Sequence, residues 1–388
     1  MIVQKAYKYR FFPTNTQARQ LAQSFGSARF VWNRGLELRT KSYEQEQKSI
    51  SYTQTAVALT QWKKEPEKTF LNEVSSVVLQ QSLRNLDTAF ENFFAKRASY
   101  PKFKSRKDKQ SIRYQTNAFT FRAGKITLAK QDEPLEISWS RPLPDDAKLI
   151  SATVSKDKAE RYFISILVET DVQSLPETTA DVGIDVGIKT LAVCSNGERL
   201  ENPRPLVKAE KRLKLKQRRL SRKVKGSHNR GKQRIKVAKQ HAKIRDIRSD
   251  TIHKFTTATM RENQAVYVEG LNVAGMLQNH KLAKHITDAS FAEIFRQLEY
   301  KAGWYGRDFI QLDQFFRSSK LCSKCGHLLL EMPLSVRQWT CPECDSRHDR
   351  DGNAATVILL AGRYLRATGS DARKVNAYEI RAVVGHSA

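Results

Sequence analysis

Four of the five cysteines stand in two tight pairs, Cys322-Ser323-Lys324-Cys325 and Cys341-Pro342-Glu343-Cys344, with 15 residues between the pairs. Thiolates at that spacing close a tetrahedral Zn²⁺ site of the ribbon type, with no position left open for catalysis. A segment of about 25 residues cannot fold on its own apolar surface, so the metal supplies its folding free energy. One structural Zn²⁺ held by Cys322, Cys325, Cys341 and Cys344 is therefore expected, and disulfides are not. His327 and His348 flank the ribbon and read as bystanders.

A second constraint lies in the stretch Asp181–Val193, apolar and β-branched, interrupted by Gly183 and Gly187, which reads as a buried strand. Asp185 stands inside it, and a carboxylate there is costly unless its charge is compensated. Val266–Leu271 is another apolar strand and carries Glu269 near its end. His348–Ala355 places Asp349 and Asp351 at the start of an apolar helix. Three carboxylates scattered through the sequence, each on a regular element, form the pattern of a divalent-metal phosphodiesterase site. There two Mg²⁺ ions clamp the attacking and leaving oxygens. Asp185, Glu269 and Asp351 are the expected catalytic residues and Mg²⁺ ligands. Asp181 and Asp349 are their local rivals; Asp181 sits at the strand's edge, where solvent should reach it.

Lys and Arg number 68 against 40 for Asp and Glu, a net charge of +28, which points to a nucleic-acid partner. No apolar run approaches 18 residues and no signal-type apolar segment opens the chain, so a soluble intracellular protein is expected. Of the excess charge, +17 falls between Arg204 and Arg248, which hold 19 Lys or Arg and two acids. Leu213, Leu220 and Val224, then Ile235, Ala238, Ala242 and Ile244, leave a thin apolar stripe on each side of the polar segment 226–231. This reads as a helical hairpin (about 204–250) with one lightly buried face. Cations in that number without balancing acids would repel one another, so a phosphate backbone is the expected partner. Arg218, Arg219, Arg222 and Lys223 are among the contacts.

The front of the chain opens with the strand Val3–Phe12, then helices from Asn15, over Leu36–Gln47, over Tyr52–Lys63 and over Val74–Arg97. Gln80, Arg84 and Asn85 share the polar face of the last, a set able to read base edges. Residues 98–113 interleave aromatic and cationic side chains, with Lys102 and Lys104 suited to phosphate. From Phe119 to Val168 the period becomes two, giving several short strands and a small barrel that the first strand joins. Asn272–Thr287 reads as a mobile loop, Ser290 as the cap of a helix closed by Gly306, and Asp308–Phe316 as a strand. The last helix spans Ala354–Leu365, followed by a short polar tail.

With the acids, the cysteine pairs and Tyr7-Lys8-Tyr9-Arg10-Phe11-Phe12-Pro13 in view, the chain resembles TnpB, the transposon-encoded RNA-guided nuclease family related to type V CRISPR effectors. The resemblance runs nearly end to end. It is carried by Gly183–Lys189, Val268-Glu269-Gly270-Leu271, Ser318-Ser319 with the first cysteine pair, the second pair, and Asp349–Ala355. It implies a RuvC nuclease on the RNase H scaffold (179–388) with a zinc-ribbon insertion (about 318–348). Ahead of it (1–178) it implies a wedge β-barrel with an inserted helical recognition lobe (about 14–98). It maps the family's three acids onto Asp185, Glu269 and Asp351, since the ligand stands two residues before Asn353. Family DNA contacts cluster at a position that here is the loop Thr116-Asn117; some of these two and of Gln80, Arg84 and Asn85, with Tyr52 nearby, are expected to read the adjacent motif. The implied activity is cleavage of double-stranded DNA beside a short transposon-adjacent motif, directed by guide RNA from the transposon end. Prokaryotic cytoplasm near the nucleoid, no membrane and no required protein oligomer go with it. Two departures, Arg317 where Thr is usual and Asp345 where Gly is common, leave the triad untouched. A DDE-type transposase and a non-catalytic nucleic-acid-binding regulator are the competing classes.

Overall fold

In the computed structural model, which describes residues 2–333 and 335–369, the chain divides at Asp171/Val172 into two units. In the first, β1 (Ile2–Phe12) is followed by α1 (Asn15–Glu46), α2 (Tyr52–Trp62), a 3₁₀ segment (Pro66–Asn72) and α3 (Ser76–Phe94). Thr14 and Gln17 cap α1 reciprocally, and Ser51 and Gln54 do the same for α2. The sequence reading broke α1 in two; it is one helix of 32 residues. Gly35 does not interrupt it, because its missing side chain admits Leu83, whose Cδ2 would lie 2.9 Å from an added Cβ.

The chain then returns to β1. Strands β2 (Gln110–Gln115), β3 (Phe119–Arg122), β4 (Lys125–Leu128), β5 (Glu136–Ser138), β6 (Lys148–Lys156) and β7 (Tyr162–Asp171) follow. The main sheet runs β2-β6-β7-β1-β5, antiparallel throughout, with β3–β4 a separate hairpin. Since β1 pairs with β7 and β5, the helices are an insertion within the sheet's sequence. Its core joins Tyr9, Phe11, Ile112, Tyr114, Val154 and Ile164 to Leu21, Phe25 and Val78 of the helices.

The second unit holds a five-stranded sheet, β10-β9-β8-β11-β12. Its strands are β8 (Asp181–Val186), β9 (Thr190–Cys194), β10 (Arg199–Glu201), β11 (Ala265–Val268) and β12 (Asp308–Gln311). β8, β11 and β12 are parallel; β9 and β10 are antiparallel additions. The stretch read as one strand, Asp181–Val193, is thus a tight hairpin that turns at 187–189, where Gly187 N donates to Leu191 O at 3.3 Å. Between β10 and β11 lie α4 (Pro205–Ser221) and α5 (His228–Glu262). Between β11 and β12 lie α6 (Val273–Met276), α7 (Ala283–Ala289) and α8 (Phe291–Tyr305). The segment read as a loop at 272–287 therefore carries two short helices. Ser290 adopts αL backbone at their junction with α8 and makes no side-chain cap. The strand read as Asp308–Phe316 ends at Gln311.

β13 (Gln338–Thr340) and β14 (Arg347–Asp349) form the ribbon's hairpin, and α9 (Arg350–Thr368) ends the described chain. The tail foreseen as short and polar lies outside the described residues. Val182, Ile184, Val266 and Val268 pack against α5 and α8; Ala265 and Tyr267 face α9. β11 is thus apolar on both sides, as a central parallel strand must be. Among the described residues no helix is long and apolar enough to cross a membrane.

Candidate metal-dependent active site

Alternation along β8 sends Val182, Ile184 and Val186 into one core and Asp181, Gly183 and Asp185 toward α9. α9 runs antiparallel beneath them. Asp181 meets Arg363 at 3.1 Å and Arg366 at 3.7 Å, and Gly183 lies over Ala355 and Leu359. Two strand residues advance about 6.6 Å and four helix residues about 6 Å, so the next step places Asp185 over the first turn, beside Asp351. Glu269 arrives from the other side. β11 pairs with β8 through Val268↔Ile184, and Glu269 follows one position on, at the C-terminal edge of adjacent parallel strands. Ligands of open α/β sheets bind along that edge.

The electrostatics agree with the geometry. Burial, then the Glu269 and Asp351 charges, push the Asp185 carboxyl well above its ordinary range, with Arg350 offsetting part of the effect. Burial raises Glu269 to about 7. The Asp185 and Glu269 carboxyls share a hydrogen bond, and Glu269 also accepts from the Val186 backbone. Two like charges about 4 Å apart repel by about 4 kcal/mol at an effective dielectric of about 20, so such a pair keeps a proton or binds a cation.

The rival acids are engaged elsewhere. Asp181 is paired on α9's far end. Asp349 is the N-cap of α9, accepting from Gly352 N at 2.9 Å, and it pairs with Arg199 at 2.9 Å. Two cations that the sequence did not single out stand at the cluster: Arg350, and Arg337, whose Nη1 lies 3.3 Å from Asp351. Among 68 Lys and Arg, only their places at the two ends of the β13–β14 hairpin set them apart.

The four paired cysteines converge, with all sulfurs within 4.8 Å of one another. Ser346 holds the Cys344 thiol down to about 6, while burial pushes Cys325 up to about 12. Neither His327 nor His348 belongs to the set, yet His348 is more than a bystander, because its Nε2 lies 3.1 Å from Cys322 Sγ.

Of the residues proposed for nucleic acid, Gln80, Arg84 and Asn85 are exposed on α3, and Arg84 lies over the Tyr52 ring. Thr116 and Asn117 are exposed in a 3₁₀ turn between β2 and β3. The 98–109 connector is docked on α1: Trp32 Nε1 donates to Lys102 O at 3.0 Å, and Asn33 bonds both backbone groups of Lys104. The Lys104 ammonium sits 3.4 Å from the Trp32 ring centroid, where burial lowers it to about 8. Tyr100 packs against Phe90 and Phe93 yet remains partly exposed, and Phe103 stays 61% exposed.

The basic segment is a helical hairpin, α4 and α5. Arg218, Arg219 and Arg222 are exposed along α4, and Lys223 is half-buried just past its end. Arg230 is spent internally on the carbonyls of Leu220 and Lys223. Asp288 of α7, unremarked in the sequence, holds the base: its carboxylate accepts from Leu206 N and Val207 N and pairs with Arg248 at 2.8 Å.

Residues 164–280 match a family model described as "Probable transposase", and residues 291–358 a "Cas12f1-like, TNB domain". Residues 1–48 match a "Helix-turn-helix domain", although here they form β1 and the single helix α1. A Streptomyces pristinaespiralis protein named "Putative RNA-guided DNA endonuclease" is 51% identical over 96% of this chain and 92% of its own. InsQ of Escherichia coli, which carries the same description, is 33% identical over 94% of each chain. A looser likeness, with a TM-score of 0.49 and 14% identity, covers 92% of this chain and 98% of a chain in the "Cas12f1-sgRNA-target DNA complex". On the two near-full-length relatives, the chain belongs to the TnpB family of RNA-guided DNA endonucleases.

Proposed function

We propose that the protein is a guide-RNA-directed endonuclease that hydrolyses double-stranded DNA beside a short transposon-adjacent motif. The observation that carries this is the convergence of Asp185, Glu269 and Asp351 at one edge of a parallel sheet, where burial pushes the first two carboxyls above their ordinary range. Hard carboxylate oxygens in a desolvated cluster suit Mg²⁺, which supplies charge neutralisation and an acidified water. Asp185 and Glu269, on adjacent rigid strands, fix two sides of the site, and Asp351 fixes the third from a helix that Gly183 lets approach. Arg337 and Arg350 face incoming phosphate.

The cysteine cluster fits zinc. Bonds of about 2.3 Å in a tetrahedron put sulfurs about 3.8 Å apart, and Cys322–Cys344 and Cys325–Cys341 stand at 3.7 and 3.6 Å. The antiparallel sheet with its β3–β4 hairpin serves as the wedge barrel and α1–α3 as the recognition lobe. In the lobe and beside it, Tyr52, Gln80, Arg84, Thr116 and Asn117 meet the adjacent motif. Guide RNA lies along the basic hairpin, with Arg218, Arg219, Arg222 and Lys223 on its phosphates. Lys102 offers another phosphate contact, whereas Lys104 does so only by leaving Trp32. A prokaryotic cytoplasm, at the nucleoid, is where such a substrate is met.

The test is cleavage of a randomised-target plasmid library by protein purified with its own transposon-end RNA. Cutting next to one short motif, dependent on Mg²⁺ and lost in Asp185→Asn, is expected. Strand transfer of a transposon end without any RNA requirement would overturn the reading. Gln80→Ala with Asn117→Ala should change the recovered motif.

A further inference from the structure

One side chain ties the first cysteine pair to the turn that carries Asp351. Asn353 is 4% exposed and uses both ends of its amide: Nδ2 donates to Leu321 O at 2.6 Å, and Oδ1 accepts from Ser323 N at 3.0 Å. Those backbone groups bracket Cys322. A second tie starts from the same cysteine, whose sulfur lies 3.1 Å from His348 Nε2. His348 is 8% exposed and its ring packs on Trp339 with centroids 4.7 Å apart. The next residue, Asp349, caps α9 at Gly352 N. Cys322 is thus tethered to the chain on both sides of Asp351. Asparagine suits the first tether because its planar amide presents one donor and one acceptor edge. Aspartate would set an acceptor against the Leu321 carbonyl, and alanine would leave two buried backbone groups unpaired.

We propose that Asn353 is a positioning residue that couples the cysteine metal site to the carboxylate site. Occupancy of the thiolates fixes the Leu321–Ser323 backbone, Asn353 transmits that position to the first turn of α9, and Asp351 is held against Asp185 and Glu269. The inference rests on the metal-dependent reading of the acid cluster. Coupling between binding sites is reciprocal in binding free energy, so Mg²⁺ at the carboxylates tightens zinc at the cysteines, and with zinc entry unchanged that tightening is read as slower zinc loss.

The experiment uses full-length protein with its guide RNA and follows zinc transfer to an excess of a zinc-selective chromogenic chelator, with and without Mg²⁺. In the wild type Mg²⁺ should slow release. Asn353→Ala should keep one zinc and bind RNA normally, but release should no longer respond to Mg²⁺. The Mg²⁺ concentration for half-maximal cleavage should rise about tenfold or more, as when a metal ligand loses its outer partner. Ser323→Pro is the guard against misfolding. It repeats the Cys-Pro of the second pair and removes only the N–H given to Asn353, so it should show a smaller shift of the same sign. His348→Ala should speed zinc release and His348→Gln, which retains a donor, should restore it. Wild-type Mg²⁺ dependence in both Asn353→Ala and Ser323→Pro would overturn the proposal, as would wild-type zinc release indifferent to Mg²⁺ while cleavage still requires it. Cleavage that needs no divalent cation would instead overturn the reading of the acid cluster, a separate result.

Discussion

A methyl group on Gly183 would stand 2.2 Å from the carbonyl oxygen of Ala355 and 2.5 Å from Leu359 N. Both obstacles are helix backbone, which cannot rotate aside, so this glycine sets how near α9 comes to β8. Gly362 repeats the arrangement against the ring of Tyr267, 2.1 Å from an added Cβ. Gly183→Ala must push α9 outward and carry Asp351 from Asp185. We expect a loss of about 1–3 kcal/mol in stability, together with cleavage reduced far more than RNA binding. Thermal unfolding and cleavage by the same preparation check this; a variant that unfolds as the wild type does and cuts normally would show that the approach is not limiting.

The raised Asp185 and Glu269 carboxyls predict a pH dependence. A carboxyl whose folded pKa is raised binds protons that the unfolded chain has released, so it lowers stability as pH rises between the two values. For Glu269 that window runs from the ordinary 4.5 to about 7, and Asp185 acts in the same direction. Protein with zinc bound and Mg²⁺ omitted should therefore melt at lower temperature at pH 8 than at pH 5.5, each proton contributing at most about 1.4 kcal/mol per pH unit. Mg²⁺ replaces the protons and should flatten the slope, as should Asp185→Asn. Less Mg²⁺ should be needed for cleavage as pH rises toward 7. Melting curves that fall equally with and without Mg²⁺ would assign the effect to other groups.

The cysteine quartet and the three acids were legible because each breaks a strong local expectation: thiols in repeated pairs, and carboxylates inside apolar elements. Gly183 and Asp185, two apart on a strand, even show which face α9 covers. The turn at 187–189 was not legible, since Lys189 and Thr190 are the only polar residues between Val186 and Leu191, too short a break to divide the apolar run. Gly35 misled in the opposite sense, because Leu83 and Leu86 of α3 pack against it and α1 runs through unbroken. Asp288 gave no signal at all. Its partners Leu206, Val207 and Arg248 are 40 to 82 residues away, and a buried acid that caps a distant helix is a product of tertiary structure alone.

That acid yields a prediction for the basic hairpin. The Asp288 side chain is 1% exposed, and removing it strands the half-buried Arg248 and uncaps α4. Asp288→Ala should cost about 3–5 kcal/mol, the usual penalty for breaking a buried pair from one side, and weaken RNA binding by loosening the hairpin. Replacing Arg218, Arg219, Arg222 and Lys223 with Gln acts differently, because these side chains carry charge rather than structure. RNA affinity should fall nearly uniformly across sequences and its salt slope flatten, by about 0.7–0.9 for each lost phosphate contact. Filter binding at several salt concentrations separates the two; an unchanged slope in the Gln variant would mean that these cations only meet solvent.

Zinc should be structural. Cys325→Ser removes one of four converging thiolates, and the ribbon's β13 and β14 are three residues each, too short to persist without the metal. The variant should lose zinc and much of its solubility together. It should also lose cleavage, since Asn353 would then have no ordered backbone to grip. Zinc-free wild type that remains folded and active would contradict this.

The choice between Asp349 and Asp351 can be decided by charge. Asp349 works through hydrogen-bond acceptance at the cap and through its pair with Arg199. Asn at an N-cap is about as good as Asp, so Asp349→Asn should keep α9 capped and lose only a half-exposed ion pair, worth about 1 kcal/mol or less. The Asp351 charge acts on Asp185, and a negative charge at that place is what a divalent cation requires. Asp351→Asn should cut at a thousandth of the wild-type rate or less, an expectation of about 4 kcal/mol in the barrier. It should bind RNA and target DNA normally and melt at a slightly higher temperature without Mg²⁺, because one repulsive charge is gone. The pairing with Arg337 at 3.3 Å is given up in the same variant, so Arg337→Ala is the control: it leaves the carboxylate in place and should retain Mg²⁺ dependence at a reduced rate. Plasmid cleavage by the three variants side by side is the measurement. A dead Asp349→Asn beside an active Asp351→Asn would transfer the metal site to the cap residue.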